Sequence, residues 1–250
     1  MYGAIMEKGL IPFFENHIPG YSVEEMTPKE YWFDGEEDGL GPWDWKIECL
    51  QSGDIVYGKF LLGGKASFAT PKWYRELMNW RRSQEKYQPD EAGRAILNYI
   101  AENGSITIRE IRHLLGVKKS AADAAITRLM MQCRVVTGDL TRVYHGADLH
   151  YNGWQISSFC TPDELYFDDS GFGGGRPGGY GSAVVSGGFG SAAGSTAGSG
   201  GFGSVVDSAA ASGVSVGPSR SPEESLEALI EHISKISGET DRSRILKILR

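Results

Sequence analysis

From Ser170 to Ser219 the chain is dominated by glycine, serine and alanine. Such a composition cannot bury enough apolar surface to offset the entropy lost on ordering, so residues 169–219 are predicted to form a disordered low-complexity linker. Foldable sequence is thereby confined to two pieces. Residues 1–168 suffice for one domain or two small ones, and 220–250 are too few to hold a core of their own.

Charge narrows the choice of partner. The net charge of −7 argues against a basic coat over the whole surface, so a polyanion would have to be met by a local patch. The signs are segregated along the chain. Residues 1–48 carry eleven acidic against three basic side chains, a net of −8. Residues 59–86 carry seven basic against two acidic, a net of +5, and residues 105–145 seven against three, a net of +4. Either basic stretch alone could be an ordinary solvated face. Two of them beside an acidic one suggest a one-sided electrostatic footprint. Cys49, Cys133 and Cys160 lie far apart with no CxxC pair, which disfavours a disulfide framework or a structural zinc and fits a reducing cytoplasm. "GLIPFF" is short and broken by Pro12, and no run reaches the length of a membrane span. No cofactor, metal or membrane partner is expected.

The pattern predicts an α+β fold. In an N-terminal segment over 1–88, "WDWKIECLQSGDIVYGKFLLGGKASFAT" reads as a three-stranded antiparallel meander with strands at about 43–50, 54–62 and 65–69. "TPKWYRELMNWRRS" reads as a helix with Thr70 as N-cap and Pro71 first, its Trp73, Leu77 and Trp80 packed on the sheet. In residues 89–168, two helices with Ile96, Leu97 and Ile100, then Ile108, Ile111, Leu114 and Leu115 inward are followed by a third over about 120–132. A strand "RVVTGDL", a polar loop and a returning strand "WQISSF" complete the order of a winged helix-turn-helix. In residues 220–250, "SPEESLEALIEHISKI" reads as an amphipathic helix with a Ser221–Glu224 capping box, and "DRSRILKILR" as a second helix. This helical hairpin must dock on the main domain or pair between chains.

The third helix is the candidate for contact with DNA. Ser120 followed by Asp123 suggests a capping box, and Ala122, Ile126, Leu129 and Cys133 form a buried stripe. The other side presents Lys119, Ser120, Ala121, Ala124, Thr127, Arg128 and Met131. Small residues at a helix N-terminus let its backbone approach a groove, and lysines there meet phosphates. No Asn, Gln or Arg occupies the first two turns, so grip on the backbone outweighs reading of bases. The candidate contacts with double-stranded DNA are Arg109, Arg112, Lys118, Lys119, Ser120, Thr127, Arg128 and Arg142, with Tyr144 and His145, and beyond them His150 and Tyr151, acting as a wing. A winged helix used for protein contacts remains the alternative.

"LIPFFENHIPGYSVEEMTPKEYWF", "GPWDWK", "YGKF", "KASFATPKWYRELMNWRR", "DAAITRLMMQ" and "SPEESLEALIEHI" together resemble a bacterial group related to the AlkZ-type winged-helix DNA glycosylases. The resemblance implies a winged-helix architecture, DNA as ligand, a link to DNA repair or maintenance, and a place at the bacterial nucleoid. Those glycosylases carry a Gln-x-Gln pair that positions the attacking water. Here Gln51, Gln84, Gln88, Gln132 and Gln155 include no two separated by one residue, so the catalytic assignment does not transfer.

Two alternatives stay open. One is an active glycosylase that uses a carboxylate, with Asp34, Glu36, Glu37, Asp38, Asp44 and Glu48 lying near Trp43 and Trp45, rings able to stack on an extruded base. The other is a protein-interaction module or transcriptional regulator without catalysis. His145, Asp148 and His150 are poorly spaced for a metal, and "GFGGGRPGG" lacks the strand-then-helix setting of a phosphate loop.

Overall fold

The structure, a computed structural model, describes residues 1–33, 41–147, 150–167 and 220–250. The glycine-rich tract, with its "GFGGGRPGG", and the acidic residues Asp34, Glu36, Glu37 and Asp38 lie outside them. The fold is α+β with two small antiparallel sheets. Among the described residues no helix is long and apolar enough to cross a membrane.

The first part runs α1 (Tyr2–Lys8), β1 (Leu10–Pro12), α2 (Val23–Met26), α3 (Glu30–Phe33), α4 (Pro42–Gln51), β2 (Val56–Leu61), β3 (Lys65–Ala69) and α5 (Pro71–Arg82). The expected meander is corrected here, because its first strand is the helix α4. Pro42 at the first helical position presets the backbone, and Ile47 and Leu50 then bury at helical spacing. The alternation Trp43-Asp44-Trp45-Lys46 imitates a strand but fills only one turn. The third strand comes instead from "GLIPFF": β1 pairs β3 with Leu10 opposite Ala69 and Ile11 opposite Phe68, giving the order β1-β3-β2. On α5, Tyr74 and Leu77 face the sheet, both fully buried, and Tyr74 meets Phe60 edge to face. The tryptophans are partly buried against the same core, and Trp73 also stacks on His232 with centroids 3.7 Å apart while Trp80 meets Tyr87.

After a 3-10 turn come α6 (Glu91–Asn103), β4 (Ile106–Thr107), α7 (Ile108–Leu115), α8 (Lys119–Met131), β5 (Val136–His145), β6 (His150–Cys160) and α9 (Pro162–Tyr166). Thr107 and Glu110 close a capping box on α7, and Gly116 ends it in the left-handed conformation. The second sheet has the order β4-β6-β5. The hairpin is longer than the sequence suggests, since 141–145 and 150–153 continue the strands as far as the pair His145–His150. Ile96, Ile100, Ile106, Ile111, Ala122, Ile126, Leu129 and Phe159 form its core. Leu114, expected inward, is 40% exposed.

Helix α8 is buried on two sides. Its predicted stripe of Ala122, Ile126, Leu129 and Cys133 is buried, and its C-terminal half also lies on the β2–β3 turn. A Cβ built on Gly64 would stand 2.8 Å from Thr127 Cγ2, and Gly64 has φ +97°, a conformation open to glycine. Gly64→Val is therefore expected to destabilise the fold by about 1–3 kcal/mol, from backbone strain and overpacking, as read by urea denaturation. An unchanged midpoint would mean that this contact yields freely.

The last two helices, α10 (Pro222–Ser237) and α11 (Arg242–Ile248), close the first core. The Ser221–Glu224 capping box forms as expected. Leu229, Ile230, Ile233, Ile245, Ile248 and Leu249 are buried with β1–β3 and α5, so the apolar stripe is covered within the chain. Polar ties fix the register. Asn79 donates to Arg220 O and Ser225 Oγ at 2.9 and 2.8 Å, Ser225 donates to Glu76 at 2.6 Å, and Leu62 N donates to Ile248 O at 2.9 Å.

Two arginines of α5 tie it to the end of α8 and to the segments beyond. Arg81, fully buried, donates to Met131 O at 2.8 Å and to Leu249 O at 2.6 Å. Arg82 donates to Cys133 O at 3.1 and 2.7 Å and holds Asp163 with two further bonds. The sequence counts both toward a basic surface, whereas the fold turns them inward.

Candidate functional site

Two features could serve function: the N-terminal end of α8, and a cleft beside it. Helix α8 begins two residues earlier than the Ser120–Asp123 pattern suggests. Lys118 is the N-cap in extended conformation, its carbonyl accepts from Ala121 N and Ala122 N, and no side chain caps the helix. Ser120 is thus not a cap but an exposed residue of the first turn. An uncapped N-terminus leaves backbone N–H groups and the positive end of the helix dipole facing solvent. Lys118 and Lys119 stand there, exposed, and Arg109 and Arg112 are exposed on α7. Among the described residues, none of these four makes an ion pair.

The other expected contacts are placed differently. Arg128 is paired with Asp90, the N-cap of α6. Thr127 is half-buried against Gly64. Arg142, half-buried, lies 3.7 Å from Asp44 and over the Tyr151 ring, which ties the hairpin to α4. Tyr144 is 52% exposed near the end of β5 and leans on Tyr151, with centroids 5.7 Å apart. His145 and His150 face each other in register, and their side chains, like Asp148, lie outside the described positions. Among the described residues no three His, Cys, Asp or Glu side chains are grouped to hold a metal. The exposed strip of α8 is therefore Lys119, Ser120, Ala121, Ala124 and Arg128, narrower than the sequence predicts because Thr127 and Met131 are half-buried on the turn.

The cleft has a volume of about 320 Å³ and is walled by α4, β2, the start of α7, α8 and the β5–β6 hairpin. That volume lies at the small end of ligand pockets, about 300–1,000 Å³. Trp43 and Trp154, 42% and 65% exposed, both line it. Trp43 is braced by Phe13 and Phe14 at 5.0 and 5.8 Å. Trp45, the other ring offered by the sequence, points elsewhere and meets Tyr31. Of the carboxylates named from the sequence, Glu48 is exposed on α4. Asp44 accepts from Tyr151 Oη at 2.7 Å. The carboxylate that lines the cleft is Asp123 of α8.

Lys46 stands in the cleft wall with its residue only 8% exposed. Its ammonium lies 4.8 Å from the Trp43 ring centre and 5.9 Å from that of Tyr57. Burial pulls its pKa down to about 8, and nearby Asp44 opposes the shift. Gln155 donates through Nε2 to Trp43 O and to Tyr151 Oη, both at 3.0 Å, while its buried Oε1 has no partner. Sequence reasoning missed Lys46 and Asp123 because they lie on α4 and α8, brought together only by tertiary packing. The one signal was a lysine set among aromatics in an otherwise acidic segment.

Comparison with curated proteins and with solved structures finds no match. A family model described as AlkZ related matches residues 1–171, which span both sheets, α8 and every wall of the cleft. With more than half of its length covered, the chain belongs to the AlkZ-related family, a grouping tied to DNA repair and glycosylase-like proteins.

Proposed function

We propose that this is a DNA-binding protein of repair or DNA maintenance in the bacterial cytoplasm, acting at the nucleoid, in which residues 89–168 form a winged helix-turn-helix. In this reading residues 1–88 and 220–250 form a supporting module around it. The order α6, β4, α7, α8 and the β5–β6 hairpin, with β4 paired to β6, supports the winged-helix assignment. The observation that carries DNA binding is the uncapped start of α8, with Lys118, Lys119, Arg109 and Arg112 exposed and without ion-pair partners around it. Backbone N–H groups and lysines at a helix end grip phosphates and do not read bases. With four phosphate contacts, duplex affinity should fall about a hundredfold when salt is raised fourfold, as read by fluorescence anisotropy. Affinity insensitive to salt would remove the proposal and leave the face to a protein partner.

A second reading, base excision by a carboxylate, is supported by Asp123 in a cleft flanked by two exposed tryptophans. Extrusion of a base into such a cleft would expose its glycosidic bond to a water activated by that carboxylate. Alkylated duplex should then release free base, and Asp123→Asn should slow that release by about 10²–10⁴-fold. No release by the wild-type chain would end this reading.

A further inference from the structure

The geometry points to Lys46 as a nucleophile that condenses with a carbonyl carbon held in the cleft. Resting on the DNA-binding reading above, the substrate class is the ring-opened aldehyde of an abasic deoxyribose in duplex DNA. Three observations carry it. First, the neighbours of the Lys46 ammonium are the ring faces of Trp43 and Tyr57, and among the described residues it makes no ion pair. A lysine drawn out of water with no carboxylate in ion-pair contact is one whose amine is more readily freed of its proton, the condition for attack on a carbonyl. Its lowered pKa agrees with that position. A lysine meant only as a charge would be expected beside an acid. Asp44 is the nearby candidate, but its carboxylate accepts from Tyr151 and faces Arg142.

Second, the cleft supplies what such chemistry needs around the amine. Asp123 is a carboxylate on the α8 wall, and Gln155 Oε1 is a buried acceptor without a partner. Third, the cleft suits the substrate's size and shape. A sugar that has lost its base is small, and the exposed Trp43 and Trp154 offer apolar faces to the space the base has left.

The step balances without an oxidant or reductant. The free amine adds to C1′, forming a C–N bond, while the carbonyl oxygen gains a proton. Loss of one water gives the iminium. Asp123 takes a proton from C2′ and the electron pair becomes the C1′=C2′ bond of an enamine. The nitrogen lone pair then re-forms the iminium as that bond shifts to C2′=C3′, and the C3′–O pair leaves with the 3′ phosphate. Water then hydrolyses the C–N linkage, which returns the lysine and an unsaturated aldehyde.

The test uses the full chain with three probes: a duplex bearing one abasic site, the same duplex undamaged, and free 2-deoxyribose. Sodium cyanoborohydride reduces any iminium to a stable secondary amine that peptide mass mapping can locate. The expected result is one adduct per chain at Lys46 with the abasic duplex and with deoxyribose, and strand cleavage 3′ to the lesion when the reductant is left out. Lys46→Met keeps the stem without the amine, and Lys46→Arg keeps the charge without a nucleophile. Both should fold, as judged by thermal melting, and both should lose adduct and cleavage. Adducts confined to Met1 or to surface lysines, or equal yields in the variants, would overturn the proposal. Failure to bind the undamaged duplex, with deoxyribose still trapped at Lys46, would sink the DNA reading and keep the carbonyl site. Duplex binding without trapping by either probe would do the reverse.

Discussion

Replacing Arg81 with alanine is expected to cost at least about 3 kcal/mol of folding stability, the largest effect of any single substitution considered, because the guanidinium is buried and joins three helices. It leaves the last turn of α5 and donates to Met131 O, at the end of α8, and to Leu249 O, the C-cap of α11. Among the described residues no carboxylate pairs with it. Its counter-charge is supplied by carbonyls at two helix C-termini, where the backbone dipoles leave about half a negative charge each. Hydrogen bonds to a charged donor contribute about 1.5–3 kcal/mol each, and removing the donor also leaves buried carbonyls unmet. Against a total stability of about 5–15 kcal/mol, such a loss can unfold a marginal chain. Arg81→Met separates the causes, since it fills the volume but restores no donor. Urea denaturation should show both variants destabilised, with methionine recovering only the packing part. Arg81→Lys should also fail, because a single ammonium cannot span two carbonyls in fixed directions. A loss below about 1 kcal/mol for all three would show that α5, α8 and α11 hold together without this link.

Arg81 also shows where sequence reasoning stops. Its charge is visible in the basic stretch 59–86, yet nothing local says that it points inward. The acceptors are 50 and 168 residues away, and only the packed chain brings them near. Features set within a few residues are legible: the Ser221–Glu224 capping box, the stripe on α8, Gly116 at the end of α7. The order of three helices and a hairpin follows from the same local signals. The strand expected over 43–50 fails for a related reason, since its alternation is one helical turn long and Pro42 outweighs it. Leu114, at helical spacing, faces out because α7 is covered by its neighbours along one side only. The cleft was not legible at all. Its walls come from six elements, and Lys46 and Asp123, 77 residues apart in sequence, share a pocket only through the contact of α4, β2 and α8.

The charge reversal Lys118→Glu with Lys119→Glu is expected to remove at least about two orders of magnitude of duplex affinity, because each change deletes an attraction and adds a comparable repulsion at the phosphates. Both side chains are exposed and take part in no core packing, so the melting temperature should hardly move. Lys118→Ala with Lys119→Ala sharpens the reading: the slope of log affinity against log salt should shrink by about two, one for each lost phosphate contact, with equal effect on every duplex sequence. Arg128→Ala supplies the contrast within the same helix. Its guanidinium is already paired with Asp90, so the slope should change far less, and the exposed pair itself contributes at most about 1 kcal/mol to stability. If Arg128→Ala weakens binding as much as the double lysine change, the grip lies along the middle of α8 and not at its open end. If neither does, the uncapped helix start is a surface without DNA, and the exposed Leu114 and Trp154 nearby become the features to explain. Since Asp123 lines the cleft about one helical turn from Lys119, a duplex held at Lys118 and Lys119 would pass close to the pocket that contains Lys46 and Asp123. Weakening the grip should therefore lower any trapping at Lys46 on abasic duplex while leaving trapping of free deoxyribose unchanged.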